Sequence, residues 1–255
     1  MARSVGIVVP AFRPDVERLR RYVRDLDEAL DPDAIRIELD DPKEAVPGEL
    51  ADLPVTVNAV PYRRGKGAAI TAGFEALDTD VLSFTDADGS TPAAWFAVIV
   101  DRVRDGEADL AVGSRRHPDA TVQSHQTLAR RFLGDGFAWL AGQLLDEALY
   151  DYQCGAKAID AEAWEMVREH LYDAGFAWDV ELVAMTAALD LHIDEIPIEW
   201  RDQPGSTVSP VRTSLRMARA LVTARHRAKQ VRNSRLHTAI AARREEPTAL
   251  VEKDE

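Results

Sequence analysis

The sequence predicts an α/β fold with a mostly parallel central sheet, and three observations support this. Short β-branched runs alternate with segments in which apolar residues recur at helical spacing, as in parallel sheets covered by helices. The chain has 255 residues, 46% of them hydrophobic, so it is long enough to bury a large core. Charged residues follow two of the predicted strands directly, where open sheets bind their ligands.

The first half of the chain predicts regular alternation of strands and helices. Strands are predicted where apolar runs are bounded by Pro, Asp or Gly, namely over residues 5–9, 35–39, 55–60, 81–84 and 109–112. Helices are predicted over residues 14–30, 65–77 and 92–104, and Pro92 suits the first turn of the third.

The second half of the chain has a less regular pattern. A long helix is predicted over residues 124–149, followed by shorter mixed elements and a late strand over 193–200. Basic helices follow over residues 213–244, and the last residues read as a frayed acidic tail. We therefore divide the chain into a main domain (1–211), a basic amphipathic helical segment (212–244) and an acidic tail (245–255).

The charge of the chain is unevenly distributed. The formal net charge is -13, which argues against nucleic acid as a partner because phosphate binding needs a basic face. Residues 212–244 nevertheless hold ten Lys or Arg and no Asp or Glu, whereas residues 1–211 hold 20 basic and 39 acidic side chains. The basic helix has two interpretations: it lies on an anionic membrane surface, or its cations pair with the acidic body.

Cysteine usage and hydropathy indicate the compartment. Cys154 is the single cysteine, so the chain has no internal disulfide and suits a reducing environment. The apolar run that ends at Pro10 is too short for a secretory signal, and no stretch approaches the roughly 20 apolar residues of a membrane span. We expect a cytoplasmic protein, soluble or peripheral on the cytoplasmic face of a membrane.

Two carboxylates follow the predicted strand 81–84 with one residue between them. Asp86 and Asp88 would lie at the carboxyl edge of the sheet and could hold a hard divalent cation through oxygen ligands. Such a cation would neutralise the phosphates of a nucleotide. The alternative is a simple turn that Asp86 and Asp88 form with Gly89.

Two basic motifs are placed to meet an anion. Residues 63–67 (Arg-Arg-Gly-Lys-Gly) stand at a loop-to-helix junction, although Gly67 replaces the Ser or Thr that a P-loop needs. Residues 113–116 (Gly-Ser-Arg-Arg) follow another strand, where arginines can clamp a phosphate. The alternatives are a plain turn with exposed cations for the first motif and, for Arg130-Arg131 further on, a solvated helix face.

Seven segments in order resemble glycosyltransferase family 2 of the GT-A fold, in particular the dolichyl-phosphate and polyprenyl-phosphate sugar synthases. They are VVPAF (8–12), GKGAA (65–69), DADGST (86–91), VGSR (112–115), YQCGAK (152–157), GFAWDVEL (175–182) and IPIEW (196–200) with Gly205-Ser206. The resemblance implies a Rossmann-like nucleotide-sugar-binding domain.

The resemblance also implies roles for particular residues. Asp86 and Asp88 would hold Mg2+ or Mn2+, and Arg115 and Arg131 would hold the lipid phosphate of the acceptor. The donor would be bound by Pro10, Phe12, Asp41, Lys66, Asp86, Gln153, Lys157 and Glu181. Asp179 would act as a base if the acceptor were a hydroxyl.

The implied reaction is transfer of a hexose from a nucleotide diphosphate sugar to polyprenyl or dolichyl phosphate, with inversion. The chain departs from the family at Arg13-Pro14, where Asn-Glu is usual, and at residues 40–44, which replace DDGSxD. Both segments concern nucleotide recognition, so the donor stays open between a UDP-glucose-like sugar and GDP-mannose. The alternatives are a relative that uses a soluble acceptor and a non-catalytic member that binds a partner.

Overall fold

The computed structural model describes residues 3–123, 128–202, 210–232 and 248–253. In the helices that begin at Leu128 and Pro210, side chains are described from Gly136 and Ala218 onward. The strands are β1 Val5–Phe12, β2 Ala34–Asp40, β3 Thr56–Val60, β4 Val81–Thr85, β5 Leu110–Ser114, β6 Thr121–Gln123, β7 Ala156–Asp160, β8 Ile193–Pro197 and β9 Glu199–Arg201.

Eight α-helices are described. They are α1 Val16–Leu30, α2 Val46–Glu49, α3 Lys66–Glu75, α4 Ala93–Arg104, α5 Leu128–Leu144, α6 Ala161–Val167, α7 Trp178–Ala188 and α8 Pro210–Val231. Two short 3-10 helices span Arg168–His170 and Leu250–Glu252. The predicted alternation in the first half of the chain is confirmed, with shifts of one or two residues at most boundaries.

The central sheet has seven strands in the order β3-β2-β1-β4-β7-β5-β8. All neighbouring strands are parallel except β7, which runs antiparallel to both β4 and β5. The predicted mostly parallel sheet is therefore confirmed. The register brings Phe12 of β1 beside Asp40 of β2, so the carboxyl ends of these strands meet at one edge.

Both faces of the sheet are covered. On β1, Ile7 and Val9 belong to the core that contains α1 and α4, whereas Val8 belongs to the opposite core with Phe74 and Phe84. This alternation follows from the two-residue period of a strand. Burial on both faces explains why β1 reads as a nearly continuous apolar run.

Several predicted boundaries are wrong, each for a physical reason. β1 continues past Pro10 to Phe12, because beyond Val8 it is paired only with β2 and a missing N–H is tolerated there. The predicted strand 193–200 is two strands, since β8 joins the main sheet and β9 pairs with β6 after Pro197. The long helix ends at Leu144 rather than at residue 149.

The basic helix α8 packs on the body through its apolar side. Leu221, Ala224 and Ala228 are buried in the core that contains α7. Lys229 of α8 pairs with Asp146 at 2.7 Å, and Arg232, directly after the helix, pairs with Asp190 at 2.5 Å. In the described part of α8, cations therefore pair with the acidic body, as the second interpretation of this segment expected.

The C-terminal residues are not frayed throughout, contrary to the sequence expectation. Leu250 is buried, and its backbone N–H donates to the carbonyl of Leu171 at 2.8 Å. The apolar pair Ala249-Leu250 explains this docking, because its burial removes apolar surface from water. Among the helices the structure describes, none combines the length and hydropathy of a membrane span.

Candidate functional site

A pocket opens at the carboxyl edge of the sheet, where β1, β2 and β4 end beside the first turn of α3. This is the position at which open α/β sheets bind ligands. Its lining residues are Pro10, Ala11, Phe12, Asp40, Arg63, Gly65, Lys66, Ala69, Asp86 and Phe176. Four residues predicted for the donor site, namely Pro10, Phe12, Lys66 and Asp86, are therefore brought together.

Lys66 joins the pocket to a buried ion-pair chain beneath it. Its Nζ lies 3.0 Å from Asp86 Oδ1 and 3.1 Å from Asp179 Oδ2. Asp179 in turn accepts from Lys157 Nζ at 2.7 Å, and Lys157 also donates to the carbonyl of Cys154 at 2.6 Å. Lys157 and Asp179 are only 1% and 2% exposed, so they support the pocket from below.

Ion pairing keeps Asp179 charged. Burial alone would raise the pKa of its carboxyl, but Lys157 and Lys66 outweigh that effect and hold the pKa below its usual value. Burial would likewise lower the pKa of Lys66, yet Asp179 and Asp86 raise it above the ordinary lysine value. A buried carboxylate with a lowered pKa is a poor proton acceptor, which argues against the predicted role of Asp179 as a base.

Two glycines allow these close approaches. Gly65 has φ +107° just before α3, and a Cβ there would lie 2.3 Å from the carbonyl oxygen of Ala174. Gly155 accepts from the backbone N–H of Asp86 at 2.8 Å, and a Cβ on it would lie 1.9 Å from Asp86 Oδ2. Gly65 and Gly155 are therefore required because any side chain at these positions would collide with Ala174 or with Asp86.

Asp40, rather than the predicted Asp41, lines the pocket. Its carboxylate is buried and accepts from Arg64 Nε at 2.8 Å and from the Gly65 N–H at 3.0 Å. Asp41 has φ +45° and pairs with Arg13 at 2.6 Å. The role of Asp41 in donor binding stays a prediction. Its ion-pair partner Arg13 stands where the family usually has Asn.

An aromatic and an arginine form one wall of the pocket. The guanidinium carbon of Arg63 lies 4.2 Å from the centre of the Phe12 ring, and that of Arg13 lies 5.3 Å from it. Phe12 and Phe176 remain 39% and 47% exposed. This wall offers flat, partly cationic surfaces on which a nucleotide can stack.

The loop that carries the two carboxylates is fixed from below. The Asp88 carboxylate accepts from the Ser90 N–H at 2.9 Å, and the side chain itself is exposed. Gly89, at φ +66°, packs near the Tyr22 ring, and the Tyr22 hydroxyl donates to the Thr91 carbonyl at 2.7 Å. The structure therefore shows the turn that the sequence offered as the alternative, and it leaves the Asp88 side chain exposed.

The donor set suits a hard divalent cation. Carboxylate oxygens are the ligands that Mg2+ and Mn2+ prefer, and Asp86 and Asp88 follow β4 in one short turn. Within the described ranges, no group of three or more metal-binding side chains is present. A cation held by two aspartates would need further oxygens from a ligand or from water, because Mg2+ and similar ions take six or more oxygen ligands.

Arg115 forms a two-point ion pair that the sequence did not predict. Its Nε and Nη2 donate to Asp151 at 2.6 and 2.9 Å, and Asp151 is 2% exposed. Burial would lower the pKa of Arg115, but Asp151 raises it above the ordinary value. Asp151 also accepts from the Gln153 N–H at 3.1 Å, so it holds two predicted site residues.

Glu181 is not among the residues that line the pocket. Glu181 accepts from the backbone N–H groups of Tyr172 and Asp173 at 2.7 and 2.8 Å, and it pairs with Arg227 of α8. These contacts show that Glu181 holds a loop, and its role in donor binding stays a prediction. Arg131 lies in α5 among the side chains outside the described set.

The sequence analysis assigned no site role to Asp40, Asp151 or Phe176, and it named Arg63 only as part of the basic motif 63–67. Asp40 adjoins the predicted Asp41, and the strand register that selects Asp40 over Asp41 is not readable from one strand. Phe176 lies within the GFAWDVEL segment, although only its acidic residues were singled out. Asp151 directly precedes the YQCGAK segment and carried no local signal.

The comparison with protein families shows which family the chain belongs to. Residues 7–152 match Glycosyl transferase family 2. The chain belongs to this family. Its predicted GT-A type α/β fold is supported by the glucosyl-3-phosphoglycerate synthase of Mycobacterium tuberculosis with Mn2+, UDP-glucose and phosphoglyceric acid, at TM-score 0.70 and 15% identity over 88% of this chain and 80% of that one.

Curated relatives of this glycosyl transferase family 2 chain have similar sequences. Glycosyltransferase AglD of Haloferax volcanii is 30% identical over 84% of this chain and 36% of its own length. Dolichyl-phosphate beta-glucosyltransferase of Mus musculus is 30% identical over 68% of this chain and 55% of its own. The Dictyostelium discoideum protein of the same name is 28% identical over 64% and 51%. The chain spans about half or less of the length of these relatives.

Proposed function

We propose that this glycosyl transferase family 2 chain transfers glucose from UDP-glucose to a polyprenyl or dolichyl phosphate. The observation that carries the proposal is the pocket in which Lys66 and Asp86 lie 3.0 Å apart on one wall. An ammonium and a cation-binding carboxylate together suit a sugar diphosphate, which is anionic and binds metal ions. The dolichyl-phosphate beta-glucosyltransferases among the relatives favour glucose as the sugar and this acceptor. The structural neighbour solved with UDP-glucose favours UDP as the nucleotide.

The donor side follows from the contacts around the pocket. Phe12 and Arg63 provide a surface for the base, and the charged residues Asp40 and Lys66 lie where β2 ends and α3 begins. Mg2+ or Mn2+, held by Asp86 and Asp88, would stabilise the charge that develops on the leaving diphosphate. GDP-mannose, the other donor considered, has no support among the relatives reported above.

The reaction needs no strong protein base. An oxygen of the acceptor phosphate forms the new bond to the anomeric carbon while the bond to the diphosphate breaks, and the diphosphate leaves with the electron pair. The acceptor phosphate is already anionic near neutral pH, so no proton has to be removed from it. One displacement inverts the anomeric centre, and the task of the protein is orientation and charge stabilisation.

Arg115 is the residue we propose for the acceptor side. Its guanidinium is held by Asp151 in a fixed orientation and lies 5.7 Å from the Trp200 ring. A fixed guanidinium can still donate to a phosphate from its remaining N–H groups, because it carries five. Arg131 is proposed for the same task on the family resemblance alone.

A transfer assay tests this function. The protein, with Mn2+ or Mg2+, is given radiolabelled UDP-glucose or GDP-mannose and one of two acceptors, polyprenyl phosphate or 3-phosphoglycerate. A reaction without acceptor is the blank. We expect label in the lipid phase from UDP-glucose only. Label in 3-phosphoglycerate would indicate a soluble acceptor, and no transfer to any acceptor would contradict the proposal.

A matched pair of variants ties the assay to the site. Asp88→Asn should reduce transfer by about 100-fold or more, because a charge-stabilising group at the reacting centre is lost. Asp119→Asn, at an exposed aspartate outside the pocket, should leave the rate within about twofold. Equal rates in both variants would remove Asp88 from the site.

A further inference from the structure

We propose that Arg227 of α8 is a positioning residue for the pocket, acting through Glu181 and the loop of residues 172–176. The proposal rests on the function proposed above, in which this pocket binds the sugar donor. It gives the C-terminal helix a task inside the catalytic domain, although α8 lies after the 7–152 segment that matches the family. Three successive contacts carry it.

The first contact joins α8 to α7. Arg227 donates from Nη1 to Glu181 Oε1, and its guanidinium carbon lies 4.2 Å from the centre of the Tyr172 ring. The Glu181 side chain is 4% exposed and that of Arg227 is 21% exposed. A pair this well shielded is screened little by salt, so the contact is persistent.

The second contact joins Glu181 to the loop. Its other oxygen, Oε2, accepts from the backbone N–H groups of Tyr172 and Asp173 at 2.7 and 2.8 Å. Asp173 Oδ1 then accepts from the Gly175 N–H at 2.7 Å. The carboxylate therefore fixes the start of the loop, and the Asp173 side chain fixes its middle.

The third contact joins the loop to the pocket. The Ala174 carbonyl accepts from the Ala68 N–H of α3 at 3.2 Å. The loop and the start of α3 also pack closely through their backbones, since a Cβ on Gly67 would lie 2.5 Å from the Asp173 carbonyl oxygen. Lys66 directly precedes these two α3 residues, and both Lys66 and Phe176, at the end of the loop, line the pocket.

Among the described contacts of the buried Glu181 carboxylate, removal of Arg227 would leave the two backbone donors of Tyr172 and Asp173. An ion that loses its charged partner in a buried position is destabilised, so the carboxylate would turn toward water. That movement weakens its hold on Tyr172 and Asp173. A displacement of Phe176 and Lys66 by a fraction of an ångström would then weaken donor binding.

Hydrogen exchange tests the coupling without any substrate. Exchange rates of the Tyr172, Asp173 and Ala68 amides are compared in the full chain, in Arg227→Ala and in the isosteric Glu181→Gln. The control is Lys229→Ala, also on α8, which removes the ion pair with Asp146 at 2.7 Å. We expect exchange at the three amides to rise about tenfold in the first two variants and less than about twofold in the control.

Donor binding tests the consequence for the pocket. In titrations with UDP-glucose and Mn2+, the dissociation constant should rise about tenfold in Arg227→Ala, with partial recovery in Arg227→Lys. In the transfer assay the effect should fall on KM, with kcat within about twofold, since Arg227 does not touch the reacting atoms. Lys229→Ala should change neither value.

The outcomes separate the two proposals. Unchanged exchange in both Arg227→Ala and Glu181→Gln would overturn the coupling, as would equal donor affinity in Arg227→Ala and Lys229→Ala. If the unaltered chain binds no nucleotide sugar, the proposed function fails, while the exchange data still decide whether α8 holds the loop. If Arg227→Ala does not fold, Glu181→Gln and Arg227→Lys give the same comparison.

Discussion

At the scale of single residues, the central feature of the site is the pair of short ionic contacts that Lys66 makes. Lys66 is held by two carboxylates, Asp86 at the pocket and Asp179 beneath it. An incoming diphosphate would therefore compete with Asp86 for one ammonium, and a cation on Asp86 would free Lys66 for the ligand. Donor and metal binding should consequently reinforce each other at this pair.

Gly155 gives the sharpest residue-scale prediction. A Cβ at this position would overlap the Asp86 carboxylate at 1.9 Å, so Gly155→Ala must displace Asp86 or the 154–156 backbone. We expect affinity for UDP-glucose with Mn2+ to fall at least about tenfold, as measured by calorimetric titration. The far-UV circular dichroism spectrum should be unchanged.

The control for this variant is Gly136→Ala. Gly136 lies in α5, where a Cβ would meet nothing within 4 Å. Alanine favours a helix by about 1 kcal/mol over glycine, so stability should rise slightly and donor affinity should stay unchanged. Equal donor affinity in both variants would contradict the geometry described for Asp86.

At the scale of elements, α8 is the part whose structure differs most from its sequence pattern. A basic amphipathic helix at the end of a chain is typical of a membrane-surface segment. Here Leu221, Ala224 and Ala228 are buried against the body, and Val222 is 60% exposed. The apolar face is therefore already covered by protein at these positions.

Docking of α8 predicts a large stability effect at one position. Leu221→Ala should lower the free energy of unfolding by about 3 kcal/mol, because it removes a fully buried side chain and leaves a cavity. Val222→Ala, one residue further on, should change it by less than about 0.5 kcal/mol. Urea denaturation followed by tryptophan fluorescence measures both. A Leu221→Ala effect as small as that of Val222→Ala would mean that α8 is not docked in solution.

At the scale of the whole molecule, the charge imbalance of -13 coexists with many ion pairs. Repulsion among unpaired acidic groups acts over the whole surface, whereas the ion pairs on α8 are short-range. Salt screens the long-range repulsion first, since exposed charges farther apart than a Debye length stop interacting.

This balance predicts that salt stabilises the protein. Raising KCl from about 0.05 to 1 M should raise the Tm by about 3 °C, which corresponds to roughly 1 kcal/mol for a chain of this size. Calorimetry in KCl and, as a control for specific ion effects, in NaCl at equal ionic strength measures this. A fall of Tm with both salts would show that the ion pairs contribute more than the repulsion.

The sequence determined the alternation of strands and helices and four of the residues that line the pocket. The alternation of strands and helices, the carboxylates after β4 and the lysine at the start of α3 are local patterns. Because parallel strands place their carboxyl ends at one edge, those patterns sufficed to bring Pro10, Lys66 and Asp86 together. The family resemblance also pointed to Asp179 and Lys157, but the sequence did not show that they form a buried ion pair with each other.

Tertiary packing decided the rest. Whether Asp40 or Asp41 faces the pocket depends on strand register and on the left-handed turn at Asp41. The pairing of Arg115 with Asp151 and of Arg227 with Glu181 joins residues 36 and 46 positions apart, so no local pattern contains it. The sequence of an amphipathic helix shows only that its apolar face must be shielded from water. Its sequence alone does not say whether protein or membrane covers that face, because both offer an apolar surface.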